Sequence, residues 1–276
     1  MNAVQDFDSQ PPVVVAGCGD MGLPMAKQLL TRGFEVHGFD VRPAEQFGDF
    51  APRMLSNLDK VTANTVLIVV VRDAQQIRQL CFDEQAIYTR KTYPLTLVIS
   101  STVSPRLIEE LRDRLPGDVV LIDAPMSGAT YSAEAGTLTF MLGGARSEID
   151  RLQSLFAAMG DTIHYMGESG QGMLTKVLNN YVAASSVVAV RRSLARASVE
   201  GLDASTLLKV MSASSGSTWF GDNLEKIYWS REGYTPDNTI GIVEKDVRSS
   251  LDIASVSTDG FDEALLQALR DLETVK

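Results

Sequence analysis

One lysine lies in a predominantly apolar stretch of the chain, where a charged side chain is costly unless it is paired or takes part in chemistry. The stretch, residues 173–199, is rich in alanine, valine and leucine and contains neither proline nor glycine. Lys176 and Asn180 are four residues apart, so they share one face of the helix predicted here. Burial lowers the pKa of a lysine toward neutrality, which suits a proton-transfer group. A lysine that extends to the surface, beside an ordinary polar asparagine, explains the same residues equally well.

A glycine-rich turn follows the first apolar run of the chain. Residues 17–22 read Gly-Cys-Gly-Asp-Met-Gly, a G-x-G-x-x-G pattern between a predicted strand and a predicted helix. In dinucleotide-binding turns the first glycine makes the tight turn, and the second lets the backbone approach a pyrophosphate. The third lets the helix pack closely on the strand. The same pattern also occurs in ordinary glycine-rich turns, so by itself it leaves both interpretations open.

An acidic residue strengthens the dinucleotide interpretation. Asp40 ends the second apolar run, about 20 residues beyond the turn, where a carboxylate accepts hydrogen bonds from the adenosine ribose. Such a carboxylate attracts a free 2′-hydroxyl and repels a 2′-phosphate, so it favours NAD over NADP. Arg42 lies two residues later and could hold that phosphate, or it could be a solvated loop residue. The sequence therefore predicts NAD, with NADP also possible.

The elements that position these residues alternate along the first half of the chain. Apolar runs typical of strands covered on both faces occur at 13–16, 34–39, 65–71, 95–100, 119–122 and 137–142. Helices are predicted between them at 21–32, 73–82 and 105–115. This alternation predicts an α/β fold with a Rossmann-like doubly wound parallel sheet.

The pattern changes near residue 166. From Gln171 onward no strand is predicted, and the long helix 173–199 is followed by shorter helices around 204–211, 219–229, 242–254 and 262–272. We therefore expect a dinucleotide-binding domain at 12–166 and an all-helical substrate and oligomerisation domain at 167–276, with Lys176 at the cleft between them. The long helix is too apolar for a lone surface helix, so we expect it to be buried within its domain or against another subunit.

Composition excludes several classes of function. The chain has 276 residues, of which 45% are hydrophobic and 22% charged, as in globular proteins. Its net charge of −10 argues against nucleic acid or an anionic membrane as the main partner. Two cysteines and two histidines, without neighbouring ligand types, predict neither a disulfide framework nor a metal site. The polar segment 1–12 is unlike a signal peptide, and no apolar run approaches the length of about 18 residues that spans a membrane. A cytoplasmic protein is expected.

Together, the motifs resemble those of the β-hydroxyacid dehydrogenase family, which includes 3-hydroxyisobutyrate, tartronate-semialdehyde and, closest to this chain, threonate dehydrogenase-type enzymes. The resemblance extends from Val13 to about Ala254. Four motifs carry it, in the family's order: the glycine turn continued by Pro24-Met25-Ala26, Asp-Ala-Pro-Met-Ser-Gly at 123–128, the run 170–180, and Lys245-Asp246.

The resemblance implies a role for individual residues. Lys176 is then the catalytic acid/base, Asn180 orients the substrate, and Ser127 with Gly128 binds the substrate carboxylate. Lys245 is implied to reach back toward the cofactor and the active site. The remaining residues implied to contact the cofactor lie in the glycine turn and in the loops after the strands: Gly17, Gly19, Asp20, Met21, Gly22, Asp40, Val71, Arg72, Gln76 and Thr102.

The implied activity is reversible oxidation of the alcohol of a small hydroxy acid, with no metal, in a homodimer or homotetramer. The sequence does not identify the hydroxy acid. Phosphogluconate dehydrogenases usually have histidine where this chain has Asn179, and imine reductases commonly replace the lysine that matches Lys176. Imine reduction nevertheless stays an alternative.

Two departures from the family pattern leave a second alternative, a dinucleotide-binding homologue with impaired catalysis. The family usually has a second glycine where this chain has Ala129, and a methyl group there disfavours positive φ and narrows the carboxylate pocket. The tail after Asp246 is also short, so part of a C-terminal cap is expected to be missing. Lys176, Asn180 and Ser127 are intact and oppose this alternative.

Overall fold

The structure is a computed structural model that describes residues 10–59, 61–253, 255 and 257–275. Most of the N-terminal segment considered above, residues 1–9, and Ala254, the predicted end of a helix, lie outside the described residues. The chain forms two compact units that divide after Lys176. The domain boundary expected at residue 166 stays a prediction.

A nine-stranded sheet forms the centre of the first unit, in the spatial order β3-β2-β1-β4-β5-β6-β8-β7, with β9 beside β8. Its strands are β1 (Val13–Ala16), β2 (Val36–Phe39), β3 (Met54–Leu55), β4 (Val66–Val69), β5 (Thr96–Ile99), β6 (Val120–Asp123), β7 (Met126–Ser127), β8 (Leu138–Gly143) and β9 (Gly160–Gly167).

Strands β1 to β6 pair in parallel, which confirms the predicted doubly wound arrangement. Beyond β6 the sheet is mixed, because β8 runs antiparallel to both β6 and β7. The sequence did not predict β3, β7 or β9. The first two have only two residues each. In β9, Asp161, Thr162 and His164 interrupt the apolar residues, so no continuous apolar run marks this strand.

The helices of the first unit are α1 (Gly22–Thr31), α2 (Ala74–Cys81), α3 (Pro105–Arg114), α4 (Thr130–Ala135), α5 (Arg146–Arg151) and α6 (Gln153–Ala157). The three predicted helices are confirmed, whereas α4, α5 and α6 are too short to show an apolar period. Two apolar clusters cover the two faces of the sheet. Met25 and Leu29 of α1 lie in one cluster, and Ile77 of α2 and Leu111 of α3 lie in the other. Both faces of the parallel strands are therefore buried, as their continuous apolar runs predicted.

The long helix α7 (Gln171–Val199) leads into the second unit, followed by α8 (Ala204–Ser212), α9 (Trp219–Asp222), α10 (Thr239–Leu251) and α11 (Gly260–Arg270). No strand occurs among the described residues after Gly167. Ala184 and Val188 of α7 pack with Val247 of α10 and with Leu265 and Leu269 of α11. The predicted all-helical character is confirmed for the described part of this unit. None of the described helices has both the length and the apolar composition needed to cross a membrane.

Candidate active site

The three glycines of the turn after β1 differ in their surroundings, as dinucleotide binding requires. A methyl group at Gly17, where φ is +93°, would lie 2.2 Å from the Val70 carbonyl oxygen. At Gly22 it would lie 1.9 Å from the carbonyl oxygen of Gly17. At Gly19 a methyl group would meet no atom of the described residues within 4 Å. The first and third glycines thus permit close packing, and the second leaves open space over the backbone.

Helix α1 begins directly after this turn and has no side-chain cap at Met21. The N-terminus of a helix carries a partial positive charge and backbone N–H groups that bind phosphate. Asp20 is exposed and Met21 is half-buried beside the same turn. The open backbone at Gly19 and the start of α1 therefore fit the pyrophosphate of a dinucleotide.

Asp40, directly after β2, is held in a defined orientation beside the glycine turn. Its carboxylate accepts a hydrogen bond from the backbone N–H of Cys18 at 2.9 Å and pairs with the Arg42 guanidinium at 3.0 Å. Arg42 also donates to the Cys18 carbonyl oxygen at 2.9 Å. Partial burial raises the pKa of Asp40, but the hydrogen bonds from Arg42 and Cys18 outweigh it and hold the pKa below its ordinary value. Arg42 thus donates to both oxygens of an ionised carboxylate that lines a cavity in the first unit.

A cavity of about 270 Å³ in the first unit brings together six of the residues predicted to contact the cofactor: Gly17, Gly19, Asp40, Val71, Arg72 and Gln76. Hydrogen bonds hold its walls. Val71 donates its backbone N–H to Ser101 Oγ at 2.8 Å, and Arg72 donates its backbone N–H to Gln76 Oε1 at 2.9 Å. Thr102, the next residue after Ser101, is half-buried and does not line this cavity.

Lys176 and Ser127, 49 residues apart in sequence, lie side by side in the first unit. The Lys176 Nζ donates to Ser127 Oγ at 3.4 Å, and Lys176 is only 7% exposed. The interpretation of this lysine as a surface side chain is therefore wrong. Gly128 follows Ser127 with a φ of +125° and an exposed backbone. An amine, a hydroxyl and an accessible backbone are thus assembled where the resemblance implied substrate binding.

Ala129 occupies an unstrained position after this pair. Its φ of −79° and ψ of 179° are extended backbone that any residue adopts. The backbone at this position therefore does not need the positive φ that an alanine would disfavour. This departure from the family pattern consequently gives no support for backbone distortion in the pocket.

A buried acid that sequence reasoning did not assign lies beneath the start of α7. Asp123, at the end of β6, is 0% exposed and accepts hydrogen bonds from the backbone N–H groups of Gly170 and Met173, both at 2.7 Å. Burial raises its pKa above the ordinary value, although the backbone N–H groups oppose the shift. Asp123 belonged to a recognised motif, but no sequence signal linked it to a helix 47 residues later.

In the second unit, Asn180 and Lys245 converge on one carboxylate. Asn180 Nδ2 donates to Asp246 Oδ2 at 2.6 Å, and Lys245 Nζ lies 3.0 Å from Asp246 Oδ1. Asp246 is 6% exposed. The sequence places Asp246 directly after Lys245, but it gives no indication of the contact with Asn180, which is 66 residues away.

Comparison with known families agrees with this geometry. Residues 12–167 match the model of the NAD-binding domain of 6-phosphogluconate dehydrogenase. Residues 170–259 match the model of the NAD-binding domain of NADP-dependent 3-hydroxyisobutyrate dehydrogenase. The NAD-dependent L-serine dehydrogenase of Pseudomonas aeruginosa is 33% identical over 215 residues, which cover 75% of this chain and 71% of that enzyme. The chain belongs to the β-hydroxyacid dehydrogenase family.

Other relatives extend the comparison. The mitochondrial 3-hydroxyisobutyrate dehydrogenase of Homo sapiens is 30% identical to this hydroxyacid dehydrogenase over 235 residues, or 83% of this chain and 70% of the human enzyme. The solved 3-hydroxyisobutyrate dehydrogenase of Mycobacterium tuberculosis with L-serine shares the fold at a TM-score of 0.78, with 23% identity and 96% coverage of both chains. An imine reductase from Pseudomonas sp. also shares the fold, at a TM-score of 0.63 and 17% identity, over 95% of this chain and 93% of the reductase.

These comparisons confirm the family, the fold class and an NAD(P)-dependent hydroxyacid dehydrogenase activity. The likeness to the imine reductase concerns the fold alone. The assignments of individual residues come from the sequence and from the geometry described above, and they stay predictions.

Proposed function

We propose that this dehydrogenase oxidises the β-hydroxyl of a small 3-hydroxy acid and that Lys176 is its acid/base. L-Serine and 3-hydroxyisobutyrate, named for two relatives, are both 3-hydroxypropanoates that differ only in the substituent at the α-carbon. The observation that carries the proposal is the buried Lys176 amine 3.4 Å from the Ser127 hydroxyl. A substrate with a carboxylate and a β-hydroxyl presents one group to each of these two residues.

In the proposed reaction, Ser127 Oγ and the backbone N–H of Gly128 bind the carboxylate. This fixes the β-carbon while the Lys176 amine accepts the hydroxyl proton, or returns it in the reverse direction. The nicotinamide, when bound, supplies the hydride-transfer chemistry. The protein supplies orientation, exclusion of water and proton transfer.

Asn180 is proposed to orient the substrate. Its Nδ2 donates to Asp246, so its Oδ1 is the atom directed elsewhere, and that oxygen accepts a hydrogen bond from Asn179 Nδ2 at 3.3 Å. The Asp246 carboxylate, paired with Lys245, thereby fixes which atom of the amide is available as an acceptor. We retain a cofactor contact for Lys245 as a prediction.

NAD is the proposed cofactor in preference to NADP, because the ionised Asp40 repels a 2′-phosphate. We further propose a homodimer or homotetramer and a cytoplasmic location. Support for the oligomer comes from exposed apolar residues on α7, with Leu178 48% and Val182 65% exposed. Exposed apolar surface of this kind marks interaction sites when it is contiguous.

The proposed substrate class is tested by measuring kcat/KM with NAD and NADP against L-serine, 3-hydroxyisobutyrate, glycerate, threonate and 4-hydroxybutyrate. We expect a 3-hydroxy acid to give the highest value and 4-hydroxybutyrate, which lacks a β-hydroxyl, the lowest. Ser127→Ala should raise the substrate KM by about tenfold, the effect of losing a hydrogen bond to a charged group. Ser154→Ala, at an exposed position of α6, is the matched control.

Two results would contradict the proposal. Dinucleotide binding without turnover of any hydroxy acid would indicate the impaired homologue. Reduction of a cyclic imine in the absence of hydroxy-acid oxidation would indicate an imine reductase.

A further inference from the structure

The carboxylate of Asp123 connects the two segments that carry the proposed catalytic pair. It ends β6, four residues before Ser127, and it accepts the backbone N–H groups of Gly170 and Met173 at 2.7 Å. Those two N–H groups lie at the start of α7, the helix that presents Lys176 about one turn later. A carboxylate with two short bonds to a helix start fixes the position and direction of its first turn.

We propose that Asp123 is a positioning residue that sets the amine of Lys176 against the hydroxyl of Ser127. The inference rests on the proposed role of Lys176. Lys176 Nζ and Ser127 Oγ are 3.4 Å apart, and they are carried by α7 and by the segment that follows β6. The Asp123 carboxylate binds the backbone at the start of α7, so it is expected to act on Lys176 through that backbone. A shift of about 1 Å between such partners can cost about 100-fold in rate.

Two glycines allow the backbone to approach the Asp123 carboxylate closely. A methyl group at Gly143 would lie 2.5 Å from Asp123 Oδ1. One at Gly172 would lie 2.9 Å from Asp123 Oδ2 and 2.3 Å from the Met141 carbonyl oxygen. The close approach of β8 and the start of α7 to Asp123 is therefore possible only with glycine at both positions. The Asp123 carboxylate is consequently packed closely between β8 and the start of α7.

The charge of Asp123 is not explained by helix capping alone. Burial raises its pKa, so the ionised form costs free energy at neutral pH. Asp203 shows the ordinary arrangement, because it is exposed at the start of α8 and hydrogen bonds from Ser205 and Thr206 lower its pKa. An exposed cap stabilises its helix at little cost. Asp123 is instead buried, with both oxygens bound to the start of the Lys176 helix, and this geometry is consistent with a role in positioning that helix.

The test compares Asp123→Asn with Asp203→Asn, which removes the same charge from the start of a helix that carries none of the proposed site residues. The asparagine has one acceptor oxygen, and its NH₂ group faces the second backbone N–H, so the helix start should shift. We expect kcat to fall about 10- to 100-fold in Asp123→Asn, with the substrate KM and the NADH dissociation constant within about threefold of the wild type. The solvent deuterium isotope effect on kcat should rise, because proton transfer becomes slower. Asp203→Asn should leave all of these values unchanged.

A double variant separates this inference from the proposed function. If Asp123 acts through Lys176, Lys176→Ala combined with Asp123→Asn should have the kcat of Lys176→Ala alone, within about twofold. Multiplied losses, or a folded Asp123→Asn with wild-type kcat, would overturn the positioning role. Wild-type kcat in Lys176→Ala would instead overturn the proposed function. If Asp123→Asn does not fold, Asp123→Ser provides the same comparison, because serine retains a smaller hydrogen-bond acceptor. Wild-type kcat in Asp123→Ser would equally overturn the inference.

Discussion

The ribose end of the cofactor site depends on an ion pair between Asp40 and Arg42. The pair is 3.0 Å long, and Arg42 is further held by the Cys18 carbonyl oxygen. The Arg42 guanidinium is therefore already paired with the Asp40 carboxylate. We therefore expect the wild type to bind NAD more tightly than NADP. Asp40→Ser should lower the ratio of the NADP dissociation constant to the NAD dissociation constant by about tenfold or more, which narrows or inverts the preference for NAD. Calorimetry with each cofactor measures this ratio.

Asp49→Ser, at an exposed aspartate between β2 and β3, is the control for the change in net charge. It should leave the ratio unchanged. Adding Arg42→Ala to Asp40→Ser should remove any gain in NADP affinity. Tighter binding of NADP to the unmodified protein would mean that Arg42, and not Asp40, determines cofactor choice.

Single residues were predictable where their chemistry is local or unusual. A lysine in an apolar stretch and an acid after a second strand both marked positions for attention, and the structure places Lys176 beside Ser127 and Asp40 beside the glycine turn. The contacts of Asp123 with Gly170 and of Asp246 with Asn180 were not predictable, because these partners lie 47 and 66 residues away. A carboxylate has the same sequence signature whether it caps a distant helix or lies in solvent.

At the scale of elements, the backbone conformation of the turn between β7 and α4 determines whether Ala129 impairs the site. Because Ala129 is already extended, with φ of −79°, Ala129→Gly should change kcat/KM by less than about threefold. It should also lower the free energy of unfolding by about 0.4–1 kcal/mol, through greater entropy of the unfolded chain. Steady-state kinetics and urea unfolding measure the two effects.

The neighbouring Gly128→Ala is the opposing case. The φ of Gly128 is +125°, which is strained for alanine, and the added methyl group would lie 2.8 Å from Ser132 Cβ. This variant should lose both stability and activity. A rise of more than about tenfold in kcat/KM for Ala129→Gly would show instead that the alanine methyl group obstructs the substrate.

Elements were predictable from the sequence where a continuous apolar run marks a strand or regularly spaced apolar residues mark a helix. Strands β1, β2, β4, β5 and β6 and helices α1, α2, α3 and α7 match their apolar runs to within a few residues. The mixed edge of the sheet was not predictable. Its strand β7 has two residues, and it pairs with β8 in a register that places Met126 opposite Phe140, which no local sequence pattern indicates.

At the scale of the whole molecule, the exposed apolar face of α7 predicts self-association. Leu178 and Val182 are one helical turn apart, and 48% and 65% of their surfaces are exposed. We expect light scattering at micromolar concentration to give a mass of at least twice the 30.0 kDa of the chain. Val182→Glu should shift the mass toward the monomer without changing the helical circular dichroism.

Val41→Glu makes the same change at a valine that is 91% exposed in the first unit, and it should leave the mass unchanged. A wild-type mass near 30 kDa would contradict the predicted oligomer. It would show that this face of α7 is exposed in a monomer.

The proposed reaction depends most directly on the Lys176 amine, and the decisive measurement is kcat of Lys176→Ala on an accepted hydroxy acid at saturating cofactor. Loss of a general acid/base should lower kcat about 10²- to 10⁴-fold. The NADH dissociation constant should stay within about twofold of the wild type, and Lys209→Ala, an exposed lysine of α8, should retain full activity. A kcat of Lys176→Ala equal to that of the wild type would contradict the assignment of Lys176 as the proton-transfer group.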